Sequence, residues 1–248
     1  MIHFYEALVF IVYSFLAAII TAGGSLIVSN TLSLGGINLI RATGMTSSFF
    51  LLNAAIACYV FRKDIVWSEV KNILPINVLG AFVGAVFLTN ISSTLLLALM
   101  FVFSIYFIYK KFVISGHTGI RKRPFWQEQL VGLFSGSVMG AALPGGGFLN
   151  SYFASKGFTL QQMFGTLNFI IIFIFFVKVS VMLNAHILTP SDFIGVAIAA
   201  PFLILTNYLM RRGLISLSKP VSDKLTILAM SIFSVYALVV IIRSIFVV

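Results

Sequence analysis

The sequence predicts an all-α integral membrane protein made of two inverted repeats, each with one glycine-broken segment (re-entrant or discontinuous) and three transmembrane helices. Three observations carry this prediction. Of the 248 residues, 60% are hydrophobic and 9% charged, and the mean hydropathy is +1.10, which excludes a water-soluble globule. Apolar runs long enough to cross a hydrocarbon core of about 30 Å recur along the chain, with no barrel-type alternation. Two similar ladders of glycine follow long apolar runs, one in each half.

The first apolar run, 4–34, starts in "MIHFYEALVFIVYSF" without a basic n-region or a small-residue cleavage site, so it reads as membrane helix rather than signal peptide. It is interrupted by Gly23 and Gly24 in "TAGGSLIV". Runs 42–60, 72–89 and 93–109 complete a first repeat, 1–112. The polar, basic stretch "KKFVISGHTGIRKRPFWQE" supplies a cytoplasmic connector, 113–125. In the second repeat, 126–248, the runs are 126–155, 162–186, 191–210 and 224–246, the first interrupted at "LPGGGFLN". Gly23, Gly35 and Gly44 are spaced 12 and 9 apart, and Gly146, Gly157 and Gly165 are spaced 11 and 8 apart. Such weak internal symmetry is typical of repeat-built transporters.

Charge placement bears on topology. If all eight runs simply spanned, Lys and Arg would divide almost evenly between the two sides. If the two broken runs each enter and return on one side, all of the 16 Lys and Arg except Arg41, Arg243 and Lys178 gather on one side. The positive-inside rule favours the second arrangement, with the second half upside down relative to the first and both termini outside. Cysteines placed at Asn38 and His186 are then expected to react from outside only.

A helix broken at membrane depth persists only where protein or a water-filled cavity covers the exposed backbone. Each break starts a new helix whose first-turn N–H groups are free, and such an end attracts anions. The candidate substrate contacts at the breaks are Gly23, Gly24 and Ser25, and Gly145, Gly146, Gly147 and Asn150. Thr46 and Ser47 after Gly44, and Thr166 and Asn168 after Gly165, add hydroxyl and amide donors suited to a sulfonate-like oxygen shell. Each could instead bond its own helix backbone. Lys178, deep in "IIFIFFVKVSVML", is an intramembrane cation and therefore a candidate substrate contact, although its stem could snorkel to an interface. Arg41 reads as a solvated helix end.

The stretches "TAGGSLIVSNTLSLGGINLIRATGMTSS" and "MGAALPGGGFLNSYFASKGFTLQQMFGTLN" resemble the paired signatures of the sulfite exporter TauE/SafE family, and the resemblance covers nearly the whole chain. It implies a small-anion transporter of the cell membrane, with sulfite, sulfoacetate and related organosulfur compounds as substrates. The first half departs from the pattern, carrying Gly-Gly where a richer glycine run and a following proline are usual.

Other function classes are excluded or left without support. The net charge of +10 sits mainly in short connections between apolar runs, so it answers to the membrane rather than to nucleic acid. Cys58 is the single cysteine, which excludes an internal disulfide. His3, His117 and His186 lack ligand spacing, and GxSxG and HExxH are missing, so no metal, cofactor or catalytic residue is expected. All six acids fall near segment ends, which removes the usual proton or sodium carrier. An uncoupled monovalent anion leaving a negative interior gains about 2.3 kcal/mol per 100 mV, so outward movement is expected. The expected partners are a small anion and the lipid bilayer. A passive anion channel and a non-transporting scaffold subunit remain alternatives.

Overall fold

The computed structural model describes residues 2–16, 24–113, 124–141, 146–213 and 219–246. Among them every regular element is helical: α1 (Ile2–Leu16), α2 (Gly24–Leu34), α3 (Leu39–Val60), α4 (Trp67–Thr89), α5 (Ser93–Val113), α6 (Phe125–Gly140), α7 (Gly146–Ser155), α8 (Leu160–Asn184), α9 (Ile194–Arg211) and α10 (Lys219–Phe246). A short 3-10 turn precedes each of α4 and α9. Four helical stretches are long and apolar enough to cross a membrane: α3, α4, α8 and Pro190–Arg211. Shorter apolar stretches run Phe4–Leu16, Ser93–Tyr106 and Ser231–Ile242.

Helix ends extend past the apolar runs. α4 begins at Trp67 and α10 at Lys219, earlier than the hydropathy limits of 72 and 224, because polar first turns can project beyond the hydrocarbon without ending the helix. α3 starts where Asn38 accepts from the Ile40 N–H at 2.9 Å, and α8 where Thr159 and Gln162 form a reciprocal capping box.

The corners before α3 and α8 close in one way. After α2, Gly36 takes φ +90°, its N–H donates to Ser33 O at 3.0 Å, and the Ile37 N–H donates to Leu32 O at 3.4 Å. After α7, Gly157 takes φ +79°, with Gly157 donating to Ala154 O at 3.1 Å and Phe158 to Phe153 O at 3.3 Å. Both are left-handed helix terminations that glycine adopts without strain.

α3 and α8 lie side by side at the centre and run antiparallel. Gly44, near the start of α3, approaches Met182 and Leu188 at the end of α8, whereas Gly165, near the start of α8, approaches Phe61 O at the end of α3. α3 buries every residue from Ala42 to Phe49. Around this pair, α4 packs on α6, α9 on α1 and α10 on α5. Large apolar side chains such as Leu79, Phe82 and Val83 on α4 and Ile198 and Ile204 on α9 face outward, as a lipid-facing surface requires.

α4 and α6 run parallel with their backbones in contact. A Cβ at Gly136 or Gly140 would strike Asn77 O or Ala81 O, and one at Gly80 or Gly84 would strike Leu133 O or Ser137 O. These glycines recur every four residues, the small-residue spacing that lets membrane helices approach closely. Their role was not anticipated, although GAFVG at 80–84 and the GLFSGSVMG of 132–140 are visible in the sequence.

Candidate functional site

The site grows from two short helices. α2 has 11 residues and α7 has 10, so each is about 15 to 17 Å long, half of a hydrocarbon core of about 30 Å. Both end at a corner, and each first turn therefore lies about halfway down its neighbouring long helix. Gly24 starts α2, and a Cβ there would stand 3.5 Å from the Phe50 ring, midway along α3. Gly146 starts α7, and no described residue lies within 4 Å of the position its Cβ would take. The first-turn N–H groups at both starts have no intrahelical acceptor among the described residues. Gly23 and Gly145, together with the rest of 17–23 and 142–145, lie outside the described residues.

Lys178 approaches the same level from α8. It is 1% exposed and forms no hydrogen bond or ion pair with a described residue. Phe175, one turn earlier, lies 6.3 Å from the Phe50 ring, centroid to centroid. Ile174 and Phe175 share an apolar cluster with Leu149, Tyr152 and Phe153 of α7. A helical side chain covers the turn N-terminal to its own Cα, so the Lys178 stem leans over Ile174 and Phe175. Those residues share the cluster with α7 and approach α3 at Phe50.

The other candidates divide by what their polar groups already do. Ser25 and Gly147 are half-buried, and their carbonyls accept from Ser29 and Ser151 at 2.8 Å. Asn150 is half-buried in α7. The buried Thr46 hydroxyl donates to Ala42 O at 2.8 Å and accepts from Ser29 of α2 at 3.0 Å. Ser47 donates to Thr43 O at 2.7 Å, and Asn168 donates to Phe164 O at 2.8 Å. Thr166 accepts from the Val66 N–H at 3.0 Å, just before α4. These groups brace helices, with lone pairs or amide oxygens the remaining capacity for a solute.

Two ion clusters, unforeseen in the sequence, flank the site. Lys156, just past α7, lies 2.7 Å from Glu69 in the first turn of α4 and 2.7 Å from Glu128 in the first turn of α6. Tyr152 donates to Glu69 at 3.0 Å. Burial alone would lower the Lys156 pKa, but the Glu128 and Glu69 carboxylates outweigh it and hold the pKa above the ordinary lysine value. Arg41, in the first turn of α3, lies 2.6 Å from Asp192 before α9. Arg41 is therefore anchored by an ion pair although its side chain is 44% exposed. Its partner Asp192 is 2% exposed, and Glu6 of α1 adds a second negative charge nearby. One cluster sits at the start of α3 and the other beyond its end, separated by a 22-residue helix of about 33 Å. The sequence signal was weak, because the paired residues are 151 and 87 positions apart.

Comparison with known proteins adds one positive result. A search of curated proteins and a search of solved structures each return no match. The family model described as sulfite exporter TauE/SafE matches residues 6–238, both short helices and both clusters included. This multi-pass helical membrane protein belongs to the sulfite exporter TauE/SafE family of transporters.

Proposed function

We propose that the protein carries small anions, sulfite or organosulfonates such as sulfoacetate, outward across the cell membrane through a midplane site between α2 and α7. The observation that supports this reading is that Lys178 is buried within α8 while two half-length helices begin at Gly24 and Gly146. Free first-turn N–H groups from two directions, with one ammonium, suit an oxyanion and offer nothing to a cation.

Two inverted repeats account for the pairing of elements. Exchanging α1 through α5 for α6 through α10 maps α4 on α6 onto α9 on α1, and leaves α3 with α8 and α5 with α10 unchanged. Re-entrance in both halves is supported by contacts at their ends. Tyr5, early in α1, donates to Thr31 O late in α2 at 2.6 Å, and Glu128, early in α6, meets Lys156 just past α7. In each pair the start of the first helix lies near the end of the second.

The two ion clusters lie at opposite ends of α3, and each joins elements from both repeats. With both formed, the site is closed at each end. Release of one cluster at a time gives alternating access by relative motion of the repeats. Flux of radiolabelled sulfite and sulfoacetate into proteoliposomes, with and without an imposed potential, tests the function. Saturable, potential-sensitive flux is expected, whereas no flux for any small oxyanion or sulfonate overturns the proposal. Saturation also separates a carrier from a passive channel.

A further inference from the structure

We infer that the shared end of α3 and α9 is a binding site for the headgroup of an anionic phospholipid, formed by Tyr59, Arg62, Lys63, Tyr208, Arg211 and Arg212. This site lies on the lipid-facing surface, apart from the path of the solute, and does not rest on the transport reading.

α3 and α9 run side by side in the same direction. Arg41 near the start of α3 meets Asp192 just before α9, and further along Asn207 donates to Asn53 at 2.8 Å. One turn beyond Asn207, the Arg211 guanidinium lies 5.7 Å from the centre of the Phe61 ring. The two helix ends are thus brought together. Each carries a pair of adjacent cations, Arg62 and Lys63 after α3, and Arg211 and Arg212 at the end of α9. All four are exposed, and none forms an ion pair or a side-chain hydrogen bond with a described residue. Glu69 and Glu128 are held by Lys156, while Asp64, in the same turn as Arg62 and Lys63, pairs with none of the four. A topological signal needs only cations in the connections. It does not require two pairs from opposite halves of the chain to meet.

Two tyrosines complete the surface. Arg62 Cζ lies 4.4 Å from the centre of the Tyr59 ring, and Arg212 Cζ lies 4.7 Å from that of Tyr208. Stacking of this kind holds one face of each guanidinium against a ring. The N–H edge, which grips phosphate through paired hydrogen bonds, is left without an acceptor among the described residues. Ile194, Ile198, Leu205, Tyr208 and Arg212 follow at spacings of 4, 7, 3 and 4, and all are exposed. They form one outward stripe along α9. An acyl chain laid on that stripe brings its phosphate to Tyr208 and Arg212, at the level where interfacial tyrosines sit. The Lys and Arg distribution puts this end inside, where anionic phospholipids concentrate.

The test uses the full chain, delipidated in a neutral detergent. Phosphatidylglycerol and phosphatidylcholine both carry a phosphate, but only the first has a net charge. Each is titrated while the melting temperature is followed and native mass spectrometry counts bound lipid. A cation near an anionic headgroup favours binding by about fivefold. Phosphatidylglycerol is therefore expected to stabilise the protein and to bind about a hundredfold or more tighter than phosphatidylcholine, since four cations contribute. Arg62→Gln and Arg212→Gln are each expected to weaken it about fivefold. Lys71→Gln, the same charge change at an exposed residue near the start of α4, is expected to leave it unchanged. Equal affinity for the two lipids, or an equal loss in Lys71→Gln, overturns the inference. Displacement of the lipid by an equal concentration of glycerophosphoglycerol, its water-soluble headgroup, overturns the lipid as occupant. The comparison of lipids on the wild-type chain needs no variant, and every outcome leaves the transport reading where it stands.

Discussion

Lys156 is a long cation whose Nζ reaches carboxylates on two different helices, and its raised pKa follows from them. The sign is that of a base charged more readily in the folded state. Its stabilising contribution is complete below the unfolded lysine pKa of about 10.4 and is lost as pH rises through the folded value. The contribution of this residue to thermal stability should therefore be constant between neutrality and about pH 9, and stability should fall faster in wild type than in Lys156→Met above about pH 10.5. A melting series across that range checks it. Thr166 lends itself to a simpler test. Replacing it with Val strands the Val66 N–H before α4 and is expected to cost about 1 to 3 kcal/mol, read as a lowered melting temperature. Neither role was legible from sequence. Thr166 sits 100 residues from Val66, and the pattern after Gly165 spoke only of donors near a break. The polarity of these positions was readable, but their partners were set by the antiparallel meeting of α3 and α8.

Helices were more legible. Eight apolar runs and two glycine breaks follow from composition and from the length a bilayer demands, and α2 and α7 begin within the glycine stretches that signalled them. Hydropathy misplaced several helix starts because a polar first turn outside hydrocarbon leaves no apolar trace. The contact between α4 and α6 shows the opposite failure, in which a spacing plain in the sequence went unread beside the more conspicuous Pro-Gly-Gly-Gly. Gly136→Ala places a methyl group against Asn77 O, so a loss of about 1 to 3 kcal/mol is expected. Gly146→Ala meets no described neighbour and should leave the melting temperature nearly unchanged while weakening transport. Thermal melts of the two variants beside sulfite flux distinguish packing glycine from site glycine. A scaffold with no solute site predicts no separate effect on flux.

At the scale of the molecule, the two ion clusters lie at opposite ends of a single long helix. In a background lacking Cys58, a cysteine at Ser25 should label weakly with an impermeant thiol reagent. Glu69→Gln is expected to raise labelling severalfold from the side of the α4 start, and Asp192→Asn from the side of the α3 start. Cysteines at Asn38 and His186, both exposed and near the same end of the central pair, should react from outside only. Reaction from inside reverses the orientation that the Lys and Arg distribution implies. That distribution was legible because it is a property of loops, whereas closure at two ends depends on residues far apart in the chain.

The glycine seam between α4 and α6 joins the first half of the chain to the second, and α1 is seated on α9 in the same crossed manner. Neither half is thus a self-sufficient folding unit. Made alone, residues 1–112 would expose to lipid a strip of bare backbone shaped for another chain's helix, and the most available complement would be a second copy inserted the other way up. A lone half that assembled into such an opposed dimer would cover both seams with two identical chains.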